Sequence, residues 1–229
     1  MSDESFPVKL NMSLKKDTPI TDKINPLVVR HNLASYLHLQ HVIQERRIHL
    51  KQVLATICIP GQSHTVEMGC GHGHFLTAYA QAHPHQHCLG IDIMNNRVMR
   101  AQKKSQNSKL ANLWFLKAEA TDLLTVWPDH IDIERVFILF PDPWPKRRHQ
   151  HHRLMQPSFM DHLKKRLGLN SRVYLRTDDV AYAKATQAMI EKSDDWVLED
   201  STSSPFERPT IFQLKVHHAY CSMIFKKKA

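Results

Sequence analysis

The sequence predicts an α/β fold: a seven-stranded, mostly parallel sheet with helices on both faces. Three observations predict it. From His64 onward, short apolar runs alternate with helical stretches, the pattern of strand–helix units. One of those runs leads into Gly69, Gly71 and Gly73, with a helical stretch behind them, and glycine lets a backbone turn sharply and approach a ligand. Carboxylates also recur where strands should end, at Asp92, Glu119, Asp142 and Asp178, along the edge where such sheets bind ligands.

Residues 1–29 are polar and carry Lys9, Lys15, Lys16 and Lys23, which reads as a flexible basic arm. Residues 30–229 read as a single domain, because 229 residues suffice for one large core and are cramped for two. Leu33, Leu37, Val42, Ile43, Ile48, Leu50 and Leu54 predict a helix over 30–56, with room for one break. Strands are expected at 64–68, 87–92, 112–117, 133–140, 171–176, 195–199 and 219–226. Helices are expected at 73–82, 95–107, 156–167 and 179–191.

The net charge of +9 and pI near 9.4 favour nucleic acid or another polyanion as partner. Cys58, Cys70, Cys88 and Cys221 lack the close paired spacing of a zinc ribbon or redox site. The first residues lack the basic and apolar regions of a signal peptide. No apolar run reaches the ~18 residues that span a bilayer. The expected address is the cytoplasm, with no membrane contact and no obligatory protein partner.

The glycine loop reads Glu67-Met-Gly69-Cys-Gly71-His-Gly73-His74. A dinucleotide loop would place its third glycine at position 74, which is His74. Glu67 would repel a pyrophosphate and suits a cationic ligand. S-adenosylmethionine carries a sulfonium and an ammonium. Asp92, roughly twenty residues beyond the loop, can accept both hydroxyls of a ribose. Glu119 stands where an acid could meet an adenine amino group. Each acid alone is weak evidence, since a lone carboxylate at a strand end is more often a helix cap. Together with the glycines they point to an S-adenosylmethionine site.

Residues 138–153 carry a second signal. An apolar run ends at Pro141, and Asp142 stands between two prolines that stiffen the chain. Trp144, Lys146, Arg147, Arg148 and Arg153 follow. An acid, an aromatic and a cationic cluster suit an anionic substrate. The plain alternative is a proline turn before a solvated basic helix.

Three segments, Val66-Glu-Met-Gly-Cys-Gly-His-Gly73, Phe140-Pro-Asp-Pro-Trp-Pro-Lys-Arg-Arg-His149 and Leu175-Arg-Thr-Asp178, resemble the bacterial tRNA (guanine-N7)-methyltransferases. The resemblance implies a Rossmann-like class I methyltransferase domain acting on a guanine of tRNA. It implies cofactor contacts at Glu67, Asp92, Glu119 and Asp142, and substrate contacts at Lys146 and Asp178. The family's Thr-Lys-Phe-Glu segment corresponds to Thr210-Ile211-Phe-Gln213 here, which makes Thr210 and Gln213 candidate substrate contacts. The lysine and glutamate of that segment are replaced, so a methyltransferase of this lineage with another substrate is an alternative. A basic RNA-binding protein without catalysis is a third reading.

Guanine N7 has an in-plane lone pair and needs no deprotonation, so catalysis should rest on positioning and electrostatics. Asp142 and Asp178 are the candidate catalytic carboxylates. Asp178 could accept from guanine N1–H and N2–H together, or cap the following helix. Lys146, Arg147, Arg148 and Arg153 are expected to meet phosphates. Trp144 could stack on an extruded base, or anchor the loop as a buried ring, the reading we favour from sequence. His83, His85 and His87, and His149, His151 and His152, lack an acid or cysteine at ligand spacing, so no metal is expected.

Overall fold

The computed structural model describes residues 26–199, 206, 210 and 219–228, with side chains in the first helix from residue 35 onward. The chain packs as two compact units, Met1–Ile43 and Gln44–Ala229. The expected arm at 1–29 lies almost wholly outside the described residues. Helix α1, Pro26–Ile57, is continuous where one break was allowed. In the first unit its Tyr36, Leu37, Leu39 and Val42 are exposed.

The second unit is built on seven strands: β1 Ser63–Met68, β2 Gln86–Asp92, β3 Leu113–Lys117, β4 Ile133–Leu139, β5 Arg172–Thr177, β6 Trp196–Leu198 and β7 Cys221–Lys227. Their order is β3-β2-β1-β4-β5-β7-β6. The β1–β2, β1–β4, β2–β3 and β4–β5 pairs are parallel, and β7 runs antiparallel to both β5 and β6. The helices are α2 His74–Ala82, α3 Asn95–Ser108, α4 Ala120–Val126, α5 Pro157–Lys164 and α6 Val180–Glu191. Sequence periodicity did not reveal α4 or the 3-10 helix Arg147–His152. Each is under eight residues, too short to display a helical period.

Strand alternation sends side chains to opposite faces and makes two cores. Val66, Met68, Val136 and Ile138 pack with Leu50 and Leu54 of α1, Leu123 of α4, Phe159 of α5 and Ile190 of α6. Phe115, Phe137 and Tyr174 pack with Phe75 and Tyr79 of α2 and Val98 of α3. The central strands are therefore apolar on both faces, as buried parallel strands must be. The strand order reverses between β1 and β4, and a crevice opens there at the carboxyl ends.

Candidate active site

A cleft of about 600 Å³ lies at those carboxyl ends. Its wall includes Gly69, Asp92, Glu119, Asp142 and Trp144. Residues read from separate stretches of sequence thus meet in one place, because parallel strands deliver all their following loops to the same edge.

The glycine loop closes the first side. Gly69, Gly71 and Gly73 all have positive φ, at 79°, 54° and 69°, a region that side chains disfavour. Gly73 has a second constraint: a Cβ there would stand 2.5 Å from the Phe115 ring. Asp92 holds the loop in shape. Its Oδ2 accepts the Gly71 N–H at 3.0 Å and its Oδ1 accepts the Met94 N–H at 2.8 Å. A carboxylate offers about four lone-pair sites, so capacity remains for a diol.

Glu67 is buried at 3% exposure and is not part of the cleft wall. It accepts a hydrogen bond from the Leu76 backbone at the start of α2, while its Oε2 has no hydrogen-bond partner. Burial pushes its carboxyl well above the usual range. The Asp92 charge adds to that push, and the Leu76 bond opposes it. A buried carboxyl oxygen without a partner is a costly arrangement.

Glu119, expected to face an adenine, is half-exposed and lies 3.3 Å from Arg46 Nη2. Arg46 also contacts buried Asp122, and Arg47 Nε donates to Asp122 Oδ1 at 2.8 Å. The Arg46 and Arg47 pairing was not read from sequence. A charged α1 residue gives no local sign of a partner some seventy positions away.

On the opposite side, β4 runs into Phe140, Pro141, Asp142, Pro143 and Trp144. Phe140 N–H still donates to the Arg176 carbonyl at 2.8 Å, which extends the sheet pairing by one residue. Phe140 and Trp144 both hold positive φ, 54° and 42°. Bulky residues rarely adopt that conformation, and it gathers at functional sites. Asp142 is exposed at the rim.

Trp144 corrects the sequence reading. The loop-anchor reading required a buried ring, but Trp144 is 37% exposed. It leans on His152 and His149, with ring centres 5.0 and 5.9 Å away. Arg153 is a second correction. It was grouped with the phosphate-binding cations, yet it is 7% exposed and its Nε donates to the Pro143 carbonyl at 2.7 Å. Lys146, Arg147 and Arg148 are exposed, at the start of the 3-10 helix.

Asp178 follows β5 directly. The cap of α6 is its neighbour: Asp179 Oδ1 accepts the Tyr182 N–H at 2.6 Å. Of the two roles considered for Asp178 the cap falls to Asp179, and half-buried Asp178 is not the cap. Thr210 is half-buried, while Ile211 and Gln213 lie outside the described residues. Among the described residues no group of three or more His, Cys, Asp or Glu is placed to hold a metal. His83 is engaged elsewhere, stacked on Tyr79 at 4.1 Å.

The family model "Putative methyltransferase" matches residues 61–221, well over half of the chain. Two similar curated proteins are both named tRNA (guanine-N(7)-)-methyltransferase. The one from Desulfitobacterium hafniense (strain Y51) is 34% identical over 121 residues, covering 52% of this chain and 56% of the relative. The one from Streptococcus gordonii is 36% identical over 114 residues, covering 50% and 53%. The chain spans about half the length of the curated relatives it matches. Among solved structures, a ribosomal protein L11 methylase from Lactobacillus delbrueckii subsp. bulgaricus aligns with TM-score 0.52 and 10% identity, covering 80% of each chain. An rRNA methylase from Streptococcus thermophilus aligns with TM-score 0.50 and 12% identity, covering 77% of this chain and 93% of that one. At such identities these two speak for the fold alone, and the fold is the expected one: a seven-stranded, mostly parallel sheet flanked on both faces. The family match, the sheet order and the glycine loop over its acid agree, and the chain belongs to this methyltransferase family.

Proposed function

We propose that the protein transfers a methyl group from S-adenosylmethionine to N7 of a guanine in tRNA, in the cytoplasm. The observation that carries this reading is the strained Asp142-Pro-Trp144 loop. It sets a carboxylate and an exposed aromatic on the rim of the cleft, beside the exposed cations of the 3-10 helix. The name shared by the similar curated proteins supports the choice of base and RNA.

S-adenosylmethionine, when bound, supplies an electrophilic methyl group on a sulfonium. The residues present fit it. The remaining lone pairs of Asp92 would suit a ribose diol and Glu119 would meet the adenine amino group, while Glu67, behind the cleft wall, would favour the ammonium. Lys146, Arg147 and Arg148 would hold phosphates and set the register of the RNA. Trp144 would stack on the extruded base. Asp178, released from capping by Asp179, would accept from guanine N1–H and N2–H. Adenine has no such donor pair, so this contact selects guanine. N7 gains positive charge as it is methylated, and Asp142 and Asp178 lower the energy of that change. No residue need act as a base. Among the described residues no helix is long and apolar enough to cross a membrane.

A second reading keeps the cofactor and changes the acceptor. Ile211 and Gln213 favour it, since they replace the lysine and glutamate of the resembled family's segment. One experiment separates the two. Total tRNA is incubated with the protein and methyl-deuterated S-adenosylmethionine, then digested and read by mass spectrometry. Label on 7-methylguanosine is the expected result. Label confined to another nucleoside would establish the second reading, and tRNA without label would overturn the proposal.

A further inference from the structure

We infer that Arg153 is a positioning residue for the Asp142–Trp144 loop and not a contact for RNA phosphate. The inference rests on the methyltransferase reading above. Arg153 is nearly buried. Besides its hydrogen bond to the Pro143 carbonyl at 2.7 Å, its guanidinium stands 4.7 Å from the centre of the Tyr182 ring. Tyr182 is itself fixed twice. Its hydroxyl accepts the Met155 N–H at 2.9 Å, and its own N–H donates to the Asp179 cap. One side chain therefore ties the residue between Asp142 and Trp144 to the helix that begins beside Asp178. The two carboxylates assigned to the substrate are linked through it.

The loop needs such a tie. Phe140 and Trp144 both sit in the left-handed region, which bulky residues hold only where their surroundings over-determine it. Pro141, Pro143 and Pro145 have no N–H to donate, so few backbone donors are left to hold the loop and its carbonyls matter more. Arg153 grips the central carbonyl. Its fork and flat face suit a carbonyl and an aromatic ring at once. Lys146, Arg147 and Arg148 project where a polyanion can reach them, while Arg153 is sequestered behind the loop.

The test compares Arg153→Gln and Arg153→Lys with wild type. Four quantities are read: S-adenosylhomocysteine affinity by calorimetry, tRNA affinity against salt, the single-turnover methylation rate, and acrylamide quenching of Trp144. The quenching signal is isolated by difference from Trp144→Phe. Trp127 and Trp196 are buried and contribute little to it. In Arg153→Gln we expect cofactor affinity and the salt slope to stay unchanged. The single-turnover rate should fall by about 10²-fold, as when a reacting group is displaced by about 1 Å, and Trp144 should quench more readily. Arg153→Lys should recover part of the rate, because an ammonium still donates to the Pro143 carbonyl. A salt slope shallower by about 1, with Trp144 quenching unchanged, would make Arg153 a phosphate contact and overturn the inference. Equal losses of cofactor affinity, tRNA affinity and rate, without recovery in Arg153→Lys, would reduce it to a fold element and also overturn it. A wild type that binds S-adenosylhomocysteine yet methylates no tRNA sinks the proposed substrate instead. Trp144 quenching then still decides the role of Arg153.

Discussion

Replacing Glu67 with glutamine should make the free protein more stable and its cofactor complex weaker. Glu67 is buried with one oxygen unpartnered, and burial, with help from the Asp92 charge, raises its pKa well above the usual value. Between the unfolded and folded pKa values the folded chain holds a proton that the unfolded chain releases. The favourable contribution is therefore complete below about pH 4 and is lost as pH rises through the folded pKa. Glutamine keeps the shape and an acceptor for the Leu76 N–H but carries no charge at any pH. An unsatisfied buried polar group costs about 1–3 kcal/mol, and more when charged. Relief of about 2 kcal/mol raises Tm by roughly 4–8 °C for a chain of this length. Circular dichroism melts without cofactor should show a gap between variant and wild type that widens as pH rises above about 5. With S-adenosylhomocysteine the order reverses. On the proposed function an ammonium that reaches Oε2 would make a charge-assisted bond of about 1.5–3 kcal/mol, so the variant should lose roughly 10- to 150-fold in Kd. Wild type should also release protons on binding at a pH below the raised pKa of Glu67, seen by calorimetry in buffers of different ionisation heat, and the variant should not. A Tm gap independent of pH, or a variant that binds as tightly as wild type, would refute the reasoning.

Three further outcomes are expected. Neutralising Lys146, Arg147 and Arg148 together should flatten the plot of log K against log salt for tRNA by roughly 2–3, and an unchanged slope would make them a solvated face. Asp179→Ala should lower stability by about 1 kcal/mol in urea melts through loss of the α6 cap. Asp178→Asn should leave the melt unchanged and lower the methylation rate, and the reverse pattern would misplace both aspartates. Trp144→Ala should weaken tRNA binding by about 1–3 kcal/mol in titrations, the worth of a base stacked on an aromatic. It should leave cofactor affinity alone; an unaltered tRNA titration removes the stacking role.

The strands were legible because nearly every one is a short apolar run set off by polar residues, and each lies within two residues of its expected bounds. The carboxylates were legible because a parallel sheet converts sequence position into place: whatever follows a strand arrives at one edge. What failed were statements about individual environments. Trp144 and Arg153 were misassigned because sequence gives residue type without solvent exposure. An exposed tryptophan held at positive φ and a buried arginine both run against the habits of their types. Asp178 and Asp179 are indistinguishable as caps until the first turn of α6 is fixed to the residue. Arg46 and Arg47 meet Asp122 across the fold, and no local pattern announces a partner that remote.

Five neighbouring strands each bring a carboxylate to the same edge: Glu119 after β3, Asp92 on β2, Glu67 on β1, Asp142 after β4 and Asp178 after β5. At about 4.8 Å per strand this row runs for roughly 19 Å. It lies inside a molecule whose net charge is +9. The two signs act as a sieve. On the proposed function a polynucleotide would be drawn to the outside and turned away from the acids, so its phosphates would settle on the 3-10 helix. A neutral base would cross that boundary without such a penalty, and would suit the interior better once a methyl group makes it a cation. Such an arrangement would admit the base and keep out the strand that carries it.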